Sequence, residues 1–131
     1  MTKADSFEKW LNRAKSNLAR TDLKNISDDV YYEDICYDAQ QCAEKSLKAL
    51  CIFHSIIFPK THDLAHLLEL LINNNINIPI AIKKAEDLSD YSVETRYPGD
   101  YPEVDEKECK QVIKIAENVF NWVCKEVKYN I

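Results

Sequence analysis

His62-Asp63-Leu64-Ala65-His66 sets two imidazoles four residues apart, a spacing at which one helix face could offer both rings to a zinc ion. Zinc-protease helices place a glutamate base after the first histidine. Here the shorter Asp63 stands there, and no downstream histidine or acidic motif supplies a third ligand, so the expectation is no metal. Instead, His62 or Asp63 should cap a helix, leaving His66 half exposed. The same stretch follows Lys60-Thr61, and the amides and positive dipole end of a helix start beside a lysine suit a phosphate. Arg96 lies among Tyr91, Tyr97 and Tyr101, which together offer a planar guanidinium fork and faces for stacking a base. The fork could equally tie its loop to Glu33, Asp34 or Asp38. There is no glycine-rich phosphate loop, and no Ser, Cys and His spacing nominates a nucleophile. The candidate nucleotide or phosphate contacts are therefore Lys60, Thr61, His62, Arg96 and Tyr97, with no catalytic residue and no cofactor assigned.

The elements that must position these residues all read as helices. The longest spans about Val30 to Phe53, with Ile35, Ala39, Cys42, Ala43, Leu47, Leu50 and Phe53 at spacings of three and four and no Gly or Pro inside. Small residues at Ala39, Cys42, Ala43 and Ser46 would let a neighbouring helix approach closely. Lys45 and Lys48 read as a solvated face. Gln40 lies at the edge of the stripe, either fixing register at a dimer seam or partly exposed. Before this central helix, a first helix is expected from about Ser6 to Leu23. Phe7, Trp10, Leu11, Ala14 and Leu18 form its inner face, Lys9, Arg13, Lys15 and Asn17 its outer face, and Asp5 with Glu8 a capping box. The polar run from Lys24 to Asp29 should turn the chain into an antiparallel hairpin.

Pro59 is expected to end the central helix, and a third helix to start at Thr61 or His62. Its stripe is Leu64, Leu67, Leu68, Leu71 and Ile72, stopped by Asn73-Asn74-Asn75. A fourth helix should follow with Pro79 at its first position and Ile82, Ala85, Leu88 and Tyr91 facing inward, Lys83 and Lys84 outward. The only glycine, Gly99, sits in an aromatic loop between Ser92 and Glu103. The last helix opens near Asp105-Glu106 and runs to about Lys128. No strand pattern or internal repeat is present.

A chain of 131 residues fits one domain, taken here as 1–131, and can bury a core without metal or disulfide support. Five cysteines, an odd number without a Cys-x-x-Cys pair, read as reduced, partly buried thiols. The start of the chain carries no signal-peptide pattern and no long apolar run follows, so a cytoplasmic protein without membrane contact is expected. A net charge of -5 disfavours broad nucleic-acid binding but leaves room for a local basic pocket.

Several runs together resemble the HEPN family of small prokaryotic helical domains. They are the Trp10 helix, Tyr32-Glu33-Asp34 leading to Ala39-Gln40-Gln41-x-Ala43-Glu44-Lys45-x-Leu47-Lys48-Ala49, Pro59-Lys60-Thr61-His62-Asp63-Leu64, and Thr95-Arg96-Tyr97-Pro98. The resemblance is to the branch often encoded beside a minimal nucleotidyltransferase. It implies an all-α, up-and-down bundle of four or five helices, usually a homodimer, with a cleft for a nucleotide or RNA. It also implies a partner nucleotidyltransferase and the setting of a toxin–antitoxin pair. The family's ribonucleases carry an Arg followed four to six positions later by a His. Here Arg13 and Arg20 have no histidine at that distance and every histidine precedes Arg96, so a non-catalytic accessory module is expected. The alternatives are a ribonuclease with an atypical site and a ligand-free interaction protein.

Overall fold

In the computed structural model, residues 3–92, 99 and 102–130 are described, and every regular element among them is helical. Helix α1 spans Lys3–Ala19 and α2 spans Tyr32–Phe53. They form the expected antiparallel hairpin: the Phe7 ring meets Phe53 edge-on at 5.2 Å, while Asn17 at the other end donates to Asp38 at 3.0 Å. Because α1 already includes Lys3, Asp5 lies within the helix and cannot be the N-cap of a capping box. Helix α3 spans Leu64–Asn73, a single turn α4 spans Ile80–Lys83, a 3-10 helix covers Lys84–Tyr91, and α5 spans Glu106–Val127. Helix α5 starts beside the start of α2: Tyr32 Oη donates to Glu106 at 3.2 Å, and the Val104 amide donates to Glu33 at 2.8 Å.

Helix α2 is consequently the axis of the bundle, touched by α1, α3, α5 and the 3-10 helix. From Asp38 to Cys51 every residue except Lys45 is buried, far more than one apolar stripe accounts for. Ala39, Cys42, Ala43 and Ser46 are fully enclosed, which permits close helix approach on both flanks. Leu47 and Leu50 are also at 0% exposure, and truncating either to alanine would cost about 2–5 kcal/mol. The stripes of α1 and α5 fall inward as their spacing predicts, with Leu11, Ala14, Ala116, Val119 and Val123 fully buried. On α3, Leu64, Leu67, Leu68 and Leu71 are buried, but Ile72 is exposed.

Three helices end in the same way: their bounds fall where expected, at Phe53, at the asparagine run and near Lys128, but each is closed by a left-handed residue, and for α2 this happens ahead of Pro59. Ser55 turns left-handed at φ 60° and the Ile56 amide reaches back to the Cys51 carbonyl at 2.8 Å. Asn75 at φ 67° and Lys128 at φ 58° close α3 and α5 by the same six-to-one hydrogen bond, Ile76 to Leu71 and Tyr129 to Cys124. Glycine is the usual residue at this position, and each non-glycine one carries a cost of about 1–2 kcal/mol that the backbone hydrogen bonds offset.

The fourth helix also departs from expectation. Pro79 is its cap rather than its first residue, and α-geometry gives way to a 3-10 helix after one turn. Ile82, Ala85, Leu88 and Tyr91 recur every three residues, which lines up on a helix of 3.0 residues per turn but drifts by about 60° per turn on an α-helix. Burying that row against the bundle selects the tighter helix.

Candidate functional site

Four residues apart along α2, Gln40, Glu44 and Lys48 form a polar row inside the protein. Gln40 is fully buried, Glu44 is 3% exposed and Lys48 is 6% exposed. Gln41 Nε2 donates to Gln40 Oε1 at 2.8 Å, and Gln40 Nε2 donates to Glu44 Oε1 at 3.0 Å. Lys48 Nζ donates to the other carboxylate oxygen at 2.9 Å. The same ammonium lies 5.5 Å from the centre of the Trp10 ring and 5.7 Å from that of Phe58, and the two ring centres are 6.3 Å apart in an edge-on arrangement. Trp10 from α1 and Phe58 from the α2–α3 linker thus line the cation with aromatic faces.

The row reaches the surface at His62. Its Nδ1 lies 2.9 Å from Glu44 Oε1, and its side chain is 46% exposed. Burial works against the Glu44 charge, but hydrogen bonds from Lys48, Gln40 and His62 prevail and hold its carboxyl below the ordinary value. An ionised Glu44 accepts, so Nδ1 carries the proton and donates; the ring orientation follows from that bond. A buried carboxylate thus fixes a half-exposed imidazole, an arrangement suited to gripping an anion or moving a proton.

The structure corrects several sequence expectations here. Lys48 is an interior ammonium rather than part of a solvated face, and Gln40 is satisfied within its own chain rather than at a dimer seam. His62 and Asp63 precede α3, so His62 and His66 do not share a helix face; Asp63 is the N-cap and accepts from the Ala65 amide at 3.0 Å. His66 is half exposed. Among the described residues, no group of three His, Cys, Asp or Glu is placed to hold a metal ion. Three of the amides offered to a phosphate are already used: that of Asp63 donates to Thr61 Oγ1 at 3.0 Å, that of Leu64 to Ser89 Oγ at 2.9 Å and that of Ala65 to Asp63 Oδ1 at 3.0 Å. Of the five candidate contacts, Lys60 is exposed, Thr61 is half-buried and His62 stands beside them on Glu44, whereas Arg96 and Tyr97 lie outside the described residues.

Tyr91, expected to flank a ligand, ends the 3-10 helix and donates its hydroxyl to Glu108. All five cysteines are buried thiols, more enclosed than expected. Burial pushes Cys42 and Cys51 up to about 12 and Cys124 to about 11, which leaves them unreactive. No helix among the described residues is long and apolar enough to cross a membrane.

Comparison with known proteins places the chain in a wider group. A family model described as HEPN domain matches residues 7–127. The Methanocaldococcus jannaschii protein named "Putative toxin MJ1304" is 31% identical over 112 residues, 71% of this chain and 70% of that protein. The crystal structure of ST0689, an archaeal HEPN homologue, superposes with a TM-score of 0.71 at 30% identity, covering 92% of this chain and 97% of that one. TT1696 from Thermus thermophilus superposes with a TM-score of 0.76 over the same shares of the two chains at 24% identity, a likeness of fold.

Proposed function

The chain belongs to the HEPN domain family, and from that premise we propose that it is a non-catalytic module that binds a nucleotide. In this reading it works as a homodimer beside a nucleotidyltransferase partner in a toxin–antitoxin pair. The observation that carries the ligand reading is the Glu44–His62 contact, because a buried charge network ends in one half-exposed imidazole next to the exposed Lys60. Thr61 adds a hydroxyl, and the Leu64–Ser89 bond holds this segment against the helix that leads toward Arg96 and Tyr97. A cationic side-chain set of this kind suits the phosphates of a nucleotide, with a tyrosine for its base. The toxin–antitoxin setting draws on the name of the methanogen relative.

The absence of the Arg and His spacing used by the family's ribonucleases supports the non-catalytic part. One observation favours ribonuclease activity as a second reading: a carboxylate-held imidazole can transfer a proton. RNA cleavage that survives rigorous purification and vanishes in His62→Ala would replace the first reading with the second.

Calorimetry with ATP on wild type, Lys60→Ala, His62→Ala and Arg96→Ala tests the binding site, with circular dichroism confirming each fold. Each lost charge-assisted contact should cost about 1.5–3 kcal/mol, roughly tenfold or more in affinity. Equal binding by all four proteins would remove these residues from the site, and no binding by wild type would remove the nucleotide. Light scattering that finds only monomer at high micromolar concentration would exclude the homodimer.

A further inference from the structure

The other end of the α1–α2 hairpin carries a surface that the nucleotide reading leaves unused. A groove of about 650 Å³ lies between Ala19 and Asp38, with Ile26, Val30 and Ile35 along its apolar floor. A smaller one of about 300 Å³ shares those three residues and extends to Leu23 and Tyr32. Val30 is 41% exposed and Tyr31 is 73% exposed, two of the few large apolar side chains left in water. Tyr31 is also the N-cap of α2, where its side chain makes no capping bond. Ser, Thr, Asp or Asn there would stabilise the helix by about 1 kcal/mol, so the position holds an exposed aromatic ring at a loss in stability.

The rim of these grooves is acidic. Asp22, Asp34 and Asp38 line the larger and Asp28 and Glu106 the smaller; Arg20 is the one base among the lining residues. Arg20 is paired with Asp38 at 3.3 Å, and Glu106 with Lys110 at 2.7 Å; Asp22 shares an adjoining groove with Lys24, Lys110 and Lys114, so the field is most negative around Asp28 and Asp34. We propose that this surface docks a basic segment of a partner protein. One large apolar side chain of that segment seats on the Ile26–Val30 floor, beside which the chain exposes Tyr31, and its lysines or arginines face Asp28 and Asp34. The sign of the field selects this occupant: nucleic acid would be repelled, and a second copy using the same patch would bring acid against acid. The proposal does not rest on any ligand at His62.

The probe is a short fluorescein-labelled peptide with lysines around a central tryptophan. In one control glutamates replace the lysines, and in another serine replaces the tryptophan. Fluorescence anisotropy gives affinity, and amide chemical shifts of the full chain locate the contact. The basic, tryptophan-bearing peptide should bind best and shift amides between residues 19 and 38 but not those around His62. Tyr31→Ser and the double variant Asp28→Lys with Asp34→Lys should each weaken it about tenfold; all three positions are exposed, so the fold should persist. Failure to bind, equal binding of the glutamate control, or shifts elsewhere would overturn the proposal. So would indifference to both variants, self-association that shifts the same amides, or displacement of the probe by short single-stranded RNA.

Discussion

Each end of the α1–α2 hairpin carries an ion pair to a carboxylate on α2, and the two differ chiefly in their access to water. At one end Glu44 and Lys48 have side chains 4% and 8% exposed, and Gln40 and His62 complete the carboxylate's partners. At the other, Asp38 meets an Arg20 side chain that is 72% exposed. Coulomb attraction is comparable at such distances, so the surroundings decide the energetics. In the interior, losing one partner strands a charge that cannot be rehydrated; at the surface, water replaces it. Similar chemistry therefore locks one end and leaves the other adaptable.

The largest expected effect is at the buried end. Glu44→Gln or Lys48→Met should lower unfolding free energy by about 3 kcal/mol in urea titrations near neutral pH, because each leaves the opposite charge enclosed without its counter-ion. A loss below about 1 kcal/mol would show that the interior pair behaves like a surface one, and the comparison would fail. Acid should sharpen it. Glu44 titrates below its ordinary value of 4.5 in the folded protein, so its contribution is complete above that pH and is lost as pH falls through the folded value. Urea titrations from neutral pH to below 4.5 should show that fall in wild type and a flatter profile in Glu44→Gln.

Smaller effects are expected toward the adaptable end. Asn17 is half-buried and joins α1 to α2 twice, donating to Asp38 at 3.0 Å and accepting from Lys45 Nζ at 2.8 Å. Asn17→Ala should cost about 1–2 kcal/mol. Arg20→Ala should cost less than about 1 kcal/mol, and any loss should shrink further in high salt. If Arg20→Ala proved as damaging as Glu44→Gln, burial would not be what separates the two ends.

Much of the fold was legible because apolar spacing reports which face meets the core. Leu11, Ala14, Leu47, Leu50, Val119 and Val123 all fall where their periods put them. The polar row of α2 was not, since spacing says nothing about a helix enclosed from several sides, where glutamine, glutamate and lysine are buried along with the leucines. A signal existed in the four-residue rhythm of Gln40, Glu44 and Lys48, which favours mutual bonding along one helix face. Asn17 was assigned to the outer face of α1 for the same reason. The ends of α2 and α5 were read close to Phe53 and Lys128, but the way they close was hidden by chemistry of another kind: the expected cue is glycine, and Ser55 and Lys128 carry a side chain into the left-handed region. Within the candidate site, Lys60, Thr61 and His62 were nominated from an expected helix start, yet Glu44, which orients His62 from eighteen positions earlier, was read only as part of a family run and given no role.

The 3-10 segment after α4 has a consequence for how the molecule breathes. Eight residues at about 2.0 Å each reach about 16 Å, where α-geometry would reach about 12 Å, so Lys84–Tyr91 covers more of the bundle per residue than any neighbouring helix. That reach is obtained with bent, weaker backbone hydrogen bonds. Its amide protons should therefore exchange with solvent before those of α2 and α5, making this segment the seam where the native bundle first parts.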